Sequence, residues 1–159
     1  MAKGETAAER HVRLSGIDAA FHEIGVAKDV KTSARDMAAA TGIDPARLFK
    51  TLIVVADGKN FAVAIVPADR ELDRKALARA MGAKRVDLAP KDKAVTLTGY
   101  RMGACSPLGQ KKSLPAFLDG SAKNFPTIYV SGGAYGLEME IAPDVLQAAT
   151  KASVVSLAQ

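Results

Sequence analysis

Tryptophan is absent from this chain, aromatic residues make up only 5%, and there is one cysteine and only two histidines. With so few aromatics the core has to be aliphatic, built from Ala, Val, Leu and Ile. A lone thiol, Cys105, excludes an internal disulfide and any thiolate zinc cluster, and it suits a reducing compartment. His11 and His22 stand apart without ligand spacing, so neither a metal nor another cofactor is expected. Long apolar runs are missing too. The longest, 52–56 and 61–68, are strand-sized, far short of the roughly 20 residues that span a bilayer. Met1-Ala2-Lys3-Gly4-Glu5 leads into polar sequence rather than an apolar segment, so no signal peptide is expected and the protein is read as cytoplasmic.

What is present fits one domain, residues 1–159, and a chain of this length buries roughly 68–70% of its unfolded surface. Hydrophobic residues at 48% and charged residues at 25% are ordinary for a folded globular protein. The net charge of +5 permits a polyanionic partner. Its excess is concentrated: between Arg70 and Lys93 stand eight Lys/Arg against four acids. Such a segment is either a solvated face or a nucleic-acid contact surface.

Thr6 followed by Glu9 has the form of a capping box, opening a helix that ends at Gly16. A strand from Ala20 to Ile24, a helix opened by Ser33 and Asp36 and closed by Gly42, and a brief turn at Asp44-Pro45 follow. Phe49–Ala56 and Phe61–Val66 are β-branched and aliphatic around the turn signal Asp57-Gly58-Lys59-Asn60, a hairpin. Asp73 caps a helix to Gly82, Arg85–Ala89 reads as a strand, and Pro90 to Thr98 as a helix. Short strands are then expected at Met102–Cys105, Ala116–Asp119, Thr127–Val130 and Gly136–Ile141, with a last helix from Pro143 to Thr150. Helices interleaved with antiparallel hairpins give the class α+β.

Lys50 stands one position into an apolar strand, so it either snorkels to the edge or points into a cavity. Lys111 and Lys112 flank the Pro107-Leu108-Gly109 turn and meet solvent or phosphate. Ser106 lacks a Gly-X-Ser-X-Gly setting and any identifiable His-Asp partners, which argues against a serine nucleophile. Ser131-Gly132-Gly133 with Gly136 reads as a backbone nest facing an anion or a polarised carbonyl, or as a plain hairpin loop. Cys105, in an expected strand, reads as a small buried hydrophobe rather than a nucleophile. Glu138 and Glu140 alternate along a strand and share one face, where they orient an amine or are simply solvated.

Taken together, Phe49-Lys50-Thr51-Leu52, Thr98-Gly99-Tyr100, Gly103 with Ser106-Pro107-Leu108-Gly109-Gln110-Lys111-Lys112, and Thr127-Ile128-Tyr129-Val130-Ser131-Gly132-Gly133 carry a resemblance. In order and spacing they resemble the YbaK/EbsC family of aminoacyl-tRNA deacylases, related to the editing insertion of prolyl-tRNA synthetases, over about residues 10 to 150. The resemblance is strongest to the Cys-tRNA(Pro) deacylase branch. It implies an α+β fold whose mixed sheet is strongly curved, barrel-like, and flanked by helices. It implies cysteine esterified to tRNA(Pro) as the substrate, released by the substrate's own thiol without a protein nucleophile. Lys50 is then the pocket lysine, with Ser131 and Gly132 beside it in the catalytic role. Thr51, Gly103, Ser106, Pro107, Gly133 and Glu138 shape the substrate pocket. Ile24 and Ser33, at the positions where relatives carry aromatics, are also expected to bind the substrate. An Ala-tRNA(Pro) hydrolase, or a non-catalytic module that binds a nucleotide or aminoacyl ligand, are the alternatives. The expected partners are the acceptor end of tRNA(Pro) and prolyl-tRNA synthetase, with the protein acting as a monomer away from membranes.

Overall fold

A computed structural model describes residues 4–24 and 34–159. Helix α1 (Ala7–Ser15) opens on the expected capping box: Thr6 Oγ1 accepts from the Glu9 amide at 3.1 Å, and Glu9 Oε1 accepts from the Thr6 amide at 3.0 Å. Strand β1 (Ala19–Glu23) and helix α2 (Ala34–Thr41) follow. A 3₁₀ turn, Pro45–Arg47, has Asp44 as its cap and leads into the hairpin of β2 (Phe49–Ala56) and β3 (Asn60–Pro67). Asp57 and Gly58 take positive φ at that turn, the conformation a tight hairpin asks for.

Helix α3 (Arg74–Met81) is capped by Asp73 and closed by Gly82. Then come β4 (Val86–Leu88), α4 (Lys91–Thr98), β5 (Ala116–Asp119), β6 (Ile128–Ala134), β7 (Leu137–Ile141), α5 (Pro143–Thr150) and β8 (Ser153–Val155). The 3₁₀ helix Gly120–Asn124 and the strand β8 are unexpected, and one expected strand is missing. Met102–Cys105 is not a strand: Gly103 has φ +85°, and the Ala104 amide turns back to the Arg101 carbonyl at 3.1 Å. The short strand β8 has too little sequence to show a period.

The strands form two sheets, β1-β7-β6 and β4-β2-β3-β5-β8. The barrel-like closure expected from the family resemblance is absent among the described strands. One parallel bridge, Leu48 to Tyr129, joins the sheets. Both faces of the β2–β3 hairpin are covered, so its sequence is a near-continuous apolar run rather than an alternation. Phe49, Ile53, Val63 and Ile65 face the main core with Ile128, Val130, Met139 and Ile141 of the small sheet. Val54, Ala62, Ala64 and Val66 face the other way, onto Leu72, Leu77 and Leu157. No helix among the described residues is long and apolar enough to cross a membrane.

The loop 99–115 is held down along its length. Lys111 and Lys112 amides bond back to the Thr98 and Leu97 carbonyls at 3.0 Å each, and the Tyr100 hydroxyl donates to the Leu108 carbonyl at 2.6 Å. Gly109 presses onto the first turn of α1, where a Cβ would lie 2.6 Å from the Ala7 carbonyl oxygen. This clamp fixes the wall that Gly103 contributes to the cavity below.

Candidate active site

Residues 48–53 of the β2 region all line one cavity of about 380 Å³. A strand alternates its side chains between two faces, so six consecutive residues reach one cavity only if it lies at the strand's edge. The hydrogen-bond pattern agrees. In β2, even-numbered residues bond β3, as the Ala68 amide to the Leu48 carbonyl shows; odd-numbered ones turn outward, Ile53 accepting from the Ala89 amide at 2.9 Å. β4 pairs only with Val54, Val55 and Ala56, so Thr51 lies beyond it. On the other side of the gap, β7 bonds β1 through its even residues, as the Ile24 amide to the Gly136 carbonyl indicates. The main chain of Ser131 therefore turns away from β7, toward β2. The cavity fills the split where β2 and β6 part after the Leu48–Tyr129 bridge.

Lys50, Thr51, Gly103, Ser131 and Glu138 line this cavity together. Lys50 is half-buried and makes no hydrogen bond or ion pair among the described residues. Glu138 has the most unusual setting. Met139 and Ile141 face the core, so alternation puts Glu138 on the opposite face, with Glu140, where a carboxylate would ordinarily be solvated. Glu140 is: it accepts from Thr127 Oγ1 at 2.6 Å, lies 2.9 Å from His22 Nε2, and those contacts hold its carboxyl below the usual range. Glu138 is instead 8% exposed, and burial pushes its carboxyl up to about 7.

The other expected residues serve the frame. Gly132 and Gly133 form a β-bulge between Ser131 and Ala134, off the cavity lining. The Gly133 amide donates to Ser131 Oγ at 3.1 Å, and the Gly132 carbonyl accepts from Thr6 Oγ1 at 2.6 Å. Ser106 is fully buried behind the wall, its Oγ accepting from the Leu108 amide at 3.3 Å. Pro107 borders a separate depression, and Ile24 is buried outside the cavity lining. Ser33 lies outside the described residues. Cys105, read from sequence as a buried hydrophobe, is buried at 5% and also lines the cavity, where burial raises its thiol to about 11. Met37 of α2, Leu52 and Leu88 complete the apolar wall. No sequence period marks these three, because only the tertiary approach of α2 and β4 to the gap makes them neighbours.

A profile of the family described as "Aminoacyl-tRNA editing domain" matches residues 27–149. The chain is 39% identical over 118 residues to an Enterococcus faecalis protein named "Putative Cys-tRNA(Pro)/Cys-tRNA(Cys) deacylase EbsC", covering 74% of this chain and 72% of that one. It is 27% identical over 124 residues to a proline–tRNA ligase of Brachyspira hyodysenteriae, 78% of this chain but 21% of that enzyme. A solved structure described as "Crystal structure of a putative trans-editing enzyme for prolyl tRNA synthetase" superposes with a TM-score of 0.84 at 24% identity, over 96% of this chain and 97% of the other. That last likeness speaks for the fold, while the first two speak for descent. The chain belongs to the aminoacyl-tRNA editing domain family.

Proposed function

We propose that this aminoacyl-tRNA deacylase acts in trans, in the cytoplasm, on tRNA(Pro) mischarged with cysteine, and that the substrate's own thiol breaks the ester. The carrying observation is a cavity with a cation and an acid but no activated protein nucleophile. The Cys105 thiol is held at about 11, Ser106 lies behind the wall, and Ser131 Oγ accepts from a main-chain amide and makes no hydrogen bond to Glu138, its cross-strand neighbour.

The substrate sulfur then attacks its own carbonyl carbon. A C–S bond forms, the ester C–O bond to the ribose breaks, and the thiol proton passes to the departing ribose oxygen. The cyclic thioester that leaves is opened later by water. The protein's share is orientation, which makes an intramolecular attack fast, and charge. Lys50 favours the thiolate of a group whose ordinary pKa is about 8.5. Since the Gly133 amide is engaged by Ser131 Oγ, the main chain at the gap, Thr51 and Gly103, faces the developing oxyanion.

Acceptor-end tRNA is the partner in this reading, and tRNA identity is supplied by a complex with prolyl-tRNA synthetase. The similarity to part of a proline–tRNA ligase supports that assignment. The test is to incubate the protein with Cys-, Ala- and Pro-tRNA(Pro), with and without the synthetase. Selective loss of the cysteinyl ester is expected. Loss of the alanyl ester alone would make it an Ala-tRNA(Pro) hydrolase, and stoichiometric binding without discharge would make it a binding module.

A further inference from the structure

Two polar atoms of the cavity residues are sealed from solvent and have no hydrogen-bond partner: Glu138 Oε2 and Thr51 Oγ1. Leaving such groups unpaired costs free energy, most of all for a charge. Lys50 shares a face with Ser131 and Glu138 but gives Glu138 Oε2 no hydrogen bond, and Thr51 points the other way, with Phe49 and Ile53. Within a mostly apolar wall, Glu138 is therefore an unpaired acceptor on the face that also carries Lys50 and Ser131, and Thr51 Oγ1 is a separate one on the other face.

We infer that Glu138, with Ser131 opposite it on β6, forms a subsite for the primary α-ammonium group of the esterified amino acid, so that the enzyme reads a free amine as well as a side chain. The inference rests on the deacylase reading and names a recognition element within it. A primary ammonium carries three N–H donors. Glu138 Oε2 takes one, and Ser131, its cross-strand partner, offers the free lone pair of its hydroxyl and a main-chain carbonyl turned toward the gap for the others. A carboxylate or phosphate would meet like charge at Glu138, and a neutral hydroxyl would leave that charge uncompensated. Burial alone raises the Glu138 carboxyl, the behaviour of a carboxylate whose counter-ion has yet to arrive. With the amine held at Glu138, the thiol on the neighbouring carbon stays on the face that carries Lys50.

The consequence is discrimination by nitrogen. An N-acylated ester, such as a peptidyl or formylated aminoacyl-tRNA, has an uncharged amide with one N–H and is spared. Proline, a secondary ammonium with two N–H donors, loses one contact.

The test uses three esters of the same tRNA: cysteinyl, N-acetylcysteinyl and 3-mercaptopropionyl, the last keeping the thiol but lacking the amine. Wild-type protein is expected to discharge the cysteinyl ester with kcat/KM about 10- to 100-fold above the other two, the range of one charge-assisted contact. Glu138→Gln lowers kcat/KM for the cysteinyl ester alone, mostly through KM, and Glu138→Asp restores part of it. Binding of the non-hydrolysable 3′-amide of cysteine with 3′-amino-3′-deoxyadenosine, against its 3-mercaptopropionyl counterpart, gives the same comparison without turnover. Equal discharge or binding of amine-bearing and amine-free ligands would overturn the subsite. Equal loss on all three esters in Glu138→Gln would make the carboxyl a general base instead. If wild-type protein discharged none of the esters and bound neither amide, the deacylase reading would fall, and this inference with it.

Discussion

Lys50, Cys105 and Glu138 line one cavity but have different electrostatic settings, and each setting predicts a different response to substitution. Lys50 contacts no partner among the described residues and is half-buried at a strand edge, so its removal costs the fold little. Lys50→Ala is expected to lower cysteinyl-ester discharge about a hundredfold, the scale of losing one electrostatic stabiliser, while the melting temperature stays near wild type. Cys105→Ser is expected to leave discharge nearly unchanged. Alkylation of Cys105 should be slow at neutral pH, because burial keeps the thiol protonated to about pH 11; rapid labelling with loss of activity would contradict this. Glu138 couples stability to pH. Its carboxyl titrates at about 7 in the fold against 4.5 ordinarily, so the folded protein binds the proton more tightly than the unfolded chain across that window. Stability contributed by the protonated carboxyl is present below about pH 4.5 and is lost as pH rises toward 7, by up to roughly 3 kcal/mol. Denaturant melts at pH 5 and pH 8 should show this loss in the wild type and not in Glu138→Gln.

At the element scale, the loop 99–115 and the bulge in β6 decide how well the cavity is formed. Tyr100, Gly109, Thr6 and Gly133 make one clamp: a Cβ on Gly109 would meet the Ala7 carbonyl, and one on Gly133 would lie 2.9 Å from the Tyr100 ring and 3.0 Å from Thr6. Gly109→Ala is expected to destabilise the protein by about 1–3 kcal/mol, since the residue has φ +73° and its new methyl has backbone in the way. Discharge should fall with it, because the same loop carries Gly103. Gly16→Ala is the matched control, with φ +64° and open space around the new Cβ; thermal melts should rank it well above the Gly109 variant. This clamp also explains why Ser106, Pro107, Gly132 and Gly133 belong to the motif without lining the cavity.

Across the whole molecule, the basic segment is attached to the cavity at both ends. Ala68 and Ala89 line the cavity, each two residues before a cation, Arg70 and Lys91. Arg74 and Arg85 share Asp87, whereas Arg70, Lys75, Arg79, Lys84, Lys91 and Lys93 are exposed and make no ion pair among the described residues. That arrangement suits phosphates leading away from an esterified terminus. Lys91→Glu combined with Lys93→Glu should raise KM for full-length tRNA about tenfold at low salt, with the effect shrinking as salt rises. A 3′-cysteinyl adenosine should show no such change in steady-state kinetics.

The capping box at Thr6 and Glu9, the Asp57-Gly58 hairpin and the aliphatic core were readable from sequence because they depend on neighbours in the chain. The motif around Lys50, Ser106 and Ser131 was readable as a family pattern for the same reason: order and spacing are properties of the chain. The missing strand at Met102–Cys105 and the open sheets were not, since a glycine at positive φ and a single inter-sheet bridge are settled by packing. The division at the site follows one physical rule. Periodicity states which face of a strand a side chain occupies, and it placed Glu138 beside Glu140; what covers that face is decided by segments far away in sequence. Only the tertiary structure buries Glu138, leaves Glu140 paired in the open, and turns a row of motif residues along the β2 edge and β6 into a cavity lined by a cation and an acid.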